Sequence, residues 1–187
     1  MKKVKLVPHD LRYAKEIHRL SQAPEVKNAL GLPTQSIEDT ENFIINNLIE
    51  ESEGKTVSRV ILNEEEKLVG ITTLMFIDQH KKLCHIGSWI GFEFWGLGYN
   101  LPSKIEILKI AFEQLKLDVV FAGARTVNIR SQKAQEKLPF ISLNVEQQFP
   151  EEHLLLEERQ KQPCVLNAIL KEDYLNYLYI TQKGQEI

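Results

Sequence analysis

The run Cys84-His85-Ile86-Gly87-Ser88-Trp89-Ile90-Gly91-Phe92-Glu93-Phe94-Trp95-Gly96-Leu97-Gly98-Tyr99-Asn100 passes from an apolar strand into a glycine turn that opens onto a helix. That order makes a seat for a phosphate. The first N–H groups of a helix lack internal partners and lie at the positive end of its dipole, so a pyrophosphate placed there gains hydrogen bonds and charge together. Gly96 and Gly98 let a ligand approach the backbone closely; taken alone, such a doublet more often marks a tight turn, and it is the strand before and the amphipathic helix after that favour a phosphate site. His85 lies in the same strand and has an intrinsic pKa suited to a general base near neutrality. It shares a strand face with Gly87, Trp89 and Gly91, while Ile86, Ser88, Ile90 and Phe92 point the other way. His85 also reads as a satisfied structural histidine, Trp89 as core packing and Glu93 as either a base or a solvated loop charge. Downstream, Asn128 and Ser131 have the spacing of a helix N-cap and its first turn.

The elements that must position these groups follow from the periodicity. Val4 to Val7 reads as a short strand, and Asp10 caps a helix to Leu20 with Leu11, Ala14, Ile17 and Leu20 on its apolar face. Pro33 breaks the chain, Ser36-Ile37-Glu38-Asp39 is a helix-start signal, and Phe43, Ile44, Leu48 and Ile49 form the apolar face of the next helix. Ser58 to Asn63 and Leu68 to Phe76 are strands joined by a charged turn, and the next strand is Cys84 to Phe92. After the glycine turn, Leu101, Ile105, Leu108, Phe112 and Leu115 form the stripe of a long amphipathic helix, with Pro102 in its first turn. Val119 to Ala122 reads as a buried strand parallel to the one before the turn. A short helix from Asn128 to near Pro139, a strand from Val165 to Leu170 and an aromatic tail at Tyr174, Tyr177 and Tyr179 complete a single mixed α/β domain over residues 1–187.

Composition narrows the function. The 187 residues are 43% hydrophobic and 26% charged, the balance of one soluble globular domain with a substantial core. A net charge of -3 gives no basic excess for nucleic acid, so any polyanion site must be local. Cys84 and Cys164 are far apart and lack metal-ligand spacing, so neither a disulfide framework nor a zinc site is indicated. No run approaches a membrane span, and the basic start is followed by Leu6-Val7-Pro8-His9-Asp10 rather than an apolar leader, so a cytoplasmic protein is expected.

The ordered set resembles the GNAT superfamily of acyl-CoA-dependent N-acyltransferases, particularly the branch of ribosomal-protein N-terminal acetyltransferases and spermidine acetyltransferases. The similarity runs over almost the whole chain, from Leu6-Val7-Pro8-His9-Asp10 through Pro24-Glu25-Val26 and Leu68-Val69-Gly70. The family's pyrophosphate loop is Arg or Gln, two residues, Gly, one residue, then Gly or Ala; the positions here are Trp95, Gly98 and Asn100, and Trp95-Gly96-Leu97-Gly98-Tyr99 is similar to a variant common in this branch. Asn128 to Phe140 resembles the family's Asn, two residues, Ser, and a helix ending in Glu-Lys-Leu-Gly-Phe, with Pro139 in place of the glycine. Gln135 occupies the position where many members carry a tyrosine general acid, and the resemblance to the ribosomal-protein branch gives that role to Ser131.

The resemblance implies a twisted, mostly antiparallel mixed sheet flanked by helices, with acetyl-CoA as cosubstrate where the central strands part. Trp95, Gly96, Leu97, Gly98, Tyr99 and Asn100 would cradle the pyrophosphate, and Ile90, Gly91 and Phe92 would align the pantetheine arm. A bulge at Ile90 to Phe92 would present N–H groups to an oxyanion, and Asn128 and Ser131 would hold the far side of the arm. In the implied reaction an amine attacks the thioester and coenzyme A leaves as a thiolate, which Ser131 protonates; His85 and Glu93 are the candidate bases. Near neutral pH an α-amino group of pKa about 7.7–8.0 is substantially neutral, whereas a lysine-like amine at about 10.4 is handicapped by about 4 kcal/mol. With no strong base evident, a peptide N-terminus or another weakly basic amine is the expected acceptor. Two other readings stay open: a non-catalytic acyl-CoA-binding regulatory module, and an interaction protein, such as a homodimer, that uses the aromatic tail. The acidic segment Glu151-Glu152-His153 reads as a solvated face.

Overall fold

The computed structural model describes residues 2–31 and 35–183; the expected break at Pro33 lies outside the described residues. The chain runs β1 (Lys5–Pro8), α1 (Ala14–Ser21), α2 (Pro24–Leu30), α3 (Ile37–Ser52), β2 (Val57–Leu62), β3 (Leu68–Asp78), β4 (Leu83–Ile90), α4 (Asn100–Lys109), β5 (Val119–Arg125), α5 (Ile129–Glu136), α6 (Pro150–Gln160), β6 (Cys164–Leu170) and α7 (Lys171–Lys183). The strands form one six-stranded sheet in chain order. Only β4 and β5 pair in parallel, as the apolar run at Val119 predicts; every other neighbouring pair is antiparallel.

The alternation of side chains gives the sheet two apolar faces. On one, Cys84, Ile86, Val120 and Ala122 pack against Ile105, Leu108 and Phe112 of α4 and its extension, with Tyr174 of α7 behind them. On the other, α1 and α3 cover Val60 and Ile71 with Ala14, Ile17, Leu20 and Ile44, and Trp89 packs beside them. Farther along this face α6 covers Phe121 and Leu166 with Leu156. Each large apolar side chain buried this way contributes about 1.5–3 kcal/mol before entropy is charged against it.

Several elements differ from the sequence reading for identifiable reasons. Asp10 does cap the first helical segment, accepting from the Arg12 N–H, but that segment is a 3-10 turn, Leu11–Tyr13, which leaves Leu11 exposed. In α3 the capping box forms as expected, yet Phe43, Leu48 and Ile49 are exposed and Ile44 shares the buried face with Thr40 and Asn47. Those two polar side chains satisfy themselves within the helix, Thr40 on the Ser36 carbonyl and Asn47 on the Phe43 carbonyl, so burying them leaves no orphan. The long helix after the glycine turn widens into a π turn at Ile110–Gln114. The aromatic tail is helix α7: Tyr174 is fully buried and donates to the Ile105 carbonyl at 3.0 Å, and Tyr177 packs on Phe140. Two of its three rings therefore belong to this chain's own packing.

His9 ties the end of β1 to the sheet. Its Nε2 lies 2.8 Å from Ser58 Oγ, its Nδ1 is without a partner, and burial, assisted by Arg59, lowers its pKa to about 4. The folded state thus holds a neutral imidazole that the unfolded chain would protonate below about 6.5. Stability from this group is complete above that value and declines as pH falls toward 4, by about 3 kcal/mol in all. Urea unfolding of wild type and His9→Gln at neutral and acid pH measures it: the variant should lose less stability on acidification, and equal losses would contradict the assignment.

Candidate active site

β4 and β5 pair only at Leu83↔Val119, Cys84↔Val120 and His85↔Phe121. Beyond His85 each strand follows its other neighbour, β4 along β3 and β5 along β6, and the sheet opens. The opening is a cleft of about 1020 Å³ walled by Ile86 to Ile90, the glycine turn, Ala122 to Arg125 and α5. The Gly91 N–H donates to the Val69 carbonyl at 2.8 Å, toward β3. Since successive residues of a strand direct their polar groups to opposite neighbours, Ser88 and Ile90 turn theirs into the cleft. The expected bulge at Ile90 to Phe92 does not occur: β3 and β4 keep register from Gly70↔Ile90 to Met75↔His85, and the irregularity lies between Met75 and Asp78. Gly91 is committed to β3, and Phe92 opens a short exposed 3-10 turn, Phe92–Phe94, so Ile90 alone of those three lines the cleft.

The turn itself is built for an anion. Gly96 and Gly98 adopt φ of +76° and +87°, which side chains rarely tolerate. α4 then begins with no side-chain cap and no acidic residue in its first turn, leaving its leading N–H groups directed at the cleft. Trp95 braces the turn by donating Nε1–H to the Ile90 carbonyl at 2.6 Å, and Arg130 of α5 stacks on its ring with Cζ 3.3 Å from the centroid. Asn100 spans the gap to the Ala134 carbonyl at 3.5 Å. Tyr99 is mostly buried against Ile61, Val69 and Phe94, and Leu97 is exposed outside the lining. Five basic side chains line the cleft, Lys104, Arg125, Arg130, Lys133 and Lys137, and no Asp or Glu does so among the described residues.

On the opposite wall Asn128 caps α5, accepting from the Ser131 N–H at 3.0 Å, and its Nδ2 donates to the Ala29 carbonyl of α2 at 3.0 Å. Its amide is thus an N-cap and a tether as well as part of the lining. Gln135 donates to Ser131 Oγ at 3.3 Å and accepts from Asn167 at 2.7 Å. With one lone pair of Ser131 Oγ engaged, its O–H is available to donate into the cleft.

His85 and Glu93 are placed elsewhere. His85 donates Nε2–H to Glu152 of α6 at 3.0 Å, between the rings of Phe76 and Phe121, and burial lowers its pKa despite that carboxylate. It faces α6 rather than the cleft, and the acidic segment of α6 is therefore only partly solvated, since Glu152 is buried. Glu93 forms a two-pronged ion pair with Arg19 of α1 that lowers its pKa. Neither lines the cleft.

Lys104 was not singled out by the sequence reading, although its spacing to Leu101 and Leu108 puts it on the apolar stripe of α4. It is 7% exposed, and its Nζ donates to Ser88 Oγ, which lies 2.6 Å from Thr72 Oγ1. Burial lowers its pKa to about 7. Arg130 gave no comparable signal, because its stack on Trp95 crosses between elements, and for Gln135 the resemblance marked the position but not its bonds to Ser131 and Asn167.

The chain is similar to known proteins in sequence and in fold. The Bacillus subtilis (strain 168) protein YdaF, named for ribosomal N-acetyltransfer, is 32% identical over 74 residues, a stretch covering 40% of this chain and 40% of that one. Among solved structures, spermidine N-acetyltransferase from Vibrio cholerae in complex with CoA and spermine has a TM-score of 0.71 at 13% identity, covering 92% of this chain and 98% of that chain. RimL, a ribosomal L7/L12 α-N-protein acetyltransferase, has a TM-score of 0.68 at 18% identity, covering 76% and 78%. At such identities the structures establish the shared fold. Residues 3–141 match the acetyltransferase (GNAT) domain family, and the chain belongs to that family.

Proposed function

We propose that residues 1–187 act as one acetyl-CoA-dependent N-acetyltransferase domain whose acceptor is a peptide α-amino group or another weakly basic amine. The cleft carries this reading: parted parallel strands, an uncapped helix N-terminus and five basic side chains with no carboxylate among the described lining residues, in a chain of net charge -3. The pyrophosphate would rest at Gly96 to Asn100 with Arg130 beside it, and the pantetheine arm would run along the inward-facing groups of Ile90 and Ser88. Coenzyme A supplies the acyl thioester. The chain's own part is to hold it in line, to meet charge developing on the carbonyl with backbone N–H groups, and to protonate the departing sulfur from Ser131.

The lining supports the choice of acceptor. Among the described residues it includes no carboxylate or histidine, and its positive charge opposes a polycation, so an amine that is already partly neutral fits best. The name of RimL, an α-N-protein acetyltransferase, agrees with an α-amino acceptor. Both cysteines are unpaired and buried, which supports a reducing, cytoplasmic setting.

The test is a thiol-release screen of peptides with a free α-amine, the same peptides N-terminally blocked, and spermidine. Transfer to the free peptides alone is expected; transfer to spermidine alone would overturn the acceptor assignment, and no product with any amine would favour the non-catalytic reading. Ser131→Ala should lower kcat by about 100-fold with acetyl-CoA affinity little changed, and an unaltered kcat would reject the proton-donor role.

A further inference from the structure

The cleft described above contains an amine of its own. Lys104 rises from the second turn of α4 beneath the parted strands, and its Nζ is held by Ser88, whose backbone faces the same space. Ser88 is in turn held by Thr72 of β3 at 2.6 Å, so the ammonium position is fixed from two strands. A lysine is seldom buried without a carboxylate, because an uncompensated charge in an apolar setting is costly. Here, among the described residues, the one side-chain partner of the Lys104 Nζ is the Ser88 hydroxyl.

We propose that Lys104 is the proton carrier of the acetyl-transfer site, taking up the proton that the acceptor amine sheds as it attacks the thioester; this rests on the acetyltransferase reading of the cleft. Elimination and position both lead there. The ionisable residues lining the cleft are Tyr99, Lys104, Arg125, Arg130, Lys133 and Lys137, and only Lys104 is moved by burial to about 7. The remaining charged neighbours are engaged away from it. Glu106 of α4 pairs with Lys109 at 3.6 Å, Lys5 of β1 pairs with Glu66 at 3.7 Å, and Tyr174 of α7 donates to the Ile105 carbonyl. His85 of β4 points to the opposite face and Glu152.

The step balances without an added reagent. The acceptor nitrogen bonds the thioester carbon and gives its proton to the uncharged Lys104 amine. The C–S bond then breaks with its electron pair on sulfur, which takes a proton from Ser131. Lys104 releases its proton to water as Ser131 regains one. A base of this strength is adequate for an α-amino group and weak for a lysine-like amine, so the same residue limits the choice of acceptor.

The sign of the pH dependence follows. Lys104 must be uncharged to act, so kcat rises with pH through the neutral range and levels off above it. Lys104→Met keeps the volume and removes the buried charge, so the fold should persist or gain stability. With saturating acetyl-CoA the variant should turn over about 100-fold more slowly and lose the neutral inflection, while calorimetric acetyl-CoA affinity stays within about threefold. A variant with wild-type kcat and an unchanged inflection overturns the proposal. Failure of the wild-type protein to bind acetyl-CoA would overturn the acetyltransferase reading instead. An NMR titration of the Lys104 side chain in the wild-type protein stands apart from any variant: a transition near neutrality supports the assignment, and one in the ordinary lysine range contradicts it.

Discussion

Gly98→Asp should reduce acetyl-CoA affinity by about 1000-fold and leave the fold intact. Two effects combine at this position. Gly98 has φ of +87°, where a side chain costs about 1–2 kcal/mol of backbone strain. The new carboxylate would also face the uncapped start of α4, where a phosphate at about 4 Å would repel it by about 4 kcal/mol at the effective dielectric of a partly exposed site. Steric crowding contributes nothing, because a Cβ there meets only Lys2 Cγ, at 3.9 Å. Gly98→Ala, which carries the strain without the charge, separates the two effects. Calorimetric binding with a thermal melt as control measures the change, and undiminished affinity in Gly98→Asp would remove the glycine turn from the site.

The largest stability effect is expected at Gly70→Ala. Gly70 of β3 lies opposite Ile90, and a Cβ built on it would stand 2.2 Å from the Trp89 carbonyl oxygen and 3.0 Å from Ile90 Cα. Those atoms are backbone, so the methyl can be accommodated only by moving β3 from β4 at the edge of the cleft. A loss of about 3 kcal/mol or more in urea unfolding is expected, together with weakened acetyl-CoA binding, because the inward-facing groups of Ile90 shift with the strand. Gly87→Ala is the contrast: its Cβ would meet only the flexible end of Met75, at 2.7 Å, and should cost much less. Equal stability losses in the two variants would contradict this account of the strand edge.

The parts of the fold that were legible in the sequence are those written in local patterns. The strand before Gly91, the turn at Gly96 and Gly98, the helix with Ile105, Leu108 and Phe112 inward, and the parallel strand at Val119 each follow from periodicity and turn chemistry. The cap at Asn128 was equally plain. α2 and α6 had readable signals that were passed over: each opens with a proline at its first turn, Pro24 and Pro150, and Gly31 ends α2 at φ of +67°. The apolar face of α3 was misread because hydropathy ranks Phe43 and Leu48 above Thr40 and Asn47, while local hydrogen bonds make the polar pair burial-competent.

The site was legible in outline and obscure in its polar chemistry. Gly96, Gly98, Asn128 and Ser131 all line the cleft, where the family resemblance rather than their spacing places them. The pairing of Glu152 with His85, of Arg19 with Glu93 and of Lys104 with Ser88 depends on elements far apart in the chain, and no local pattern encodes such meetings. Those three contacts decide which ionisable groups are occupied elsewhere and which one the cleft retains.

In the proposed complex the opening between β4 and β5 holds the cofactor from its pyrophosphate to its thioester. Calorimetric titration of the unmodified protein with acetyl-CoA, run beside coenzyme A and ADP, tests it most directly. The account predicts saturable binding of acetyl-CoA and coenzyme A, with ADP markedly weaker because it lacks the arm that lies along Ile90 and Ser88. Absence of acetyl-CoA binding, or an affinity for ADP equal to that for acetyl-CoA, would contradict it.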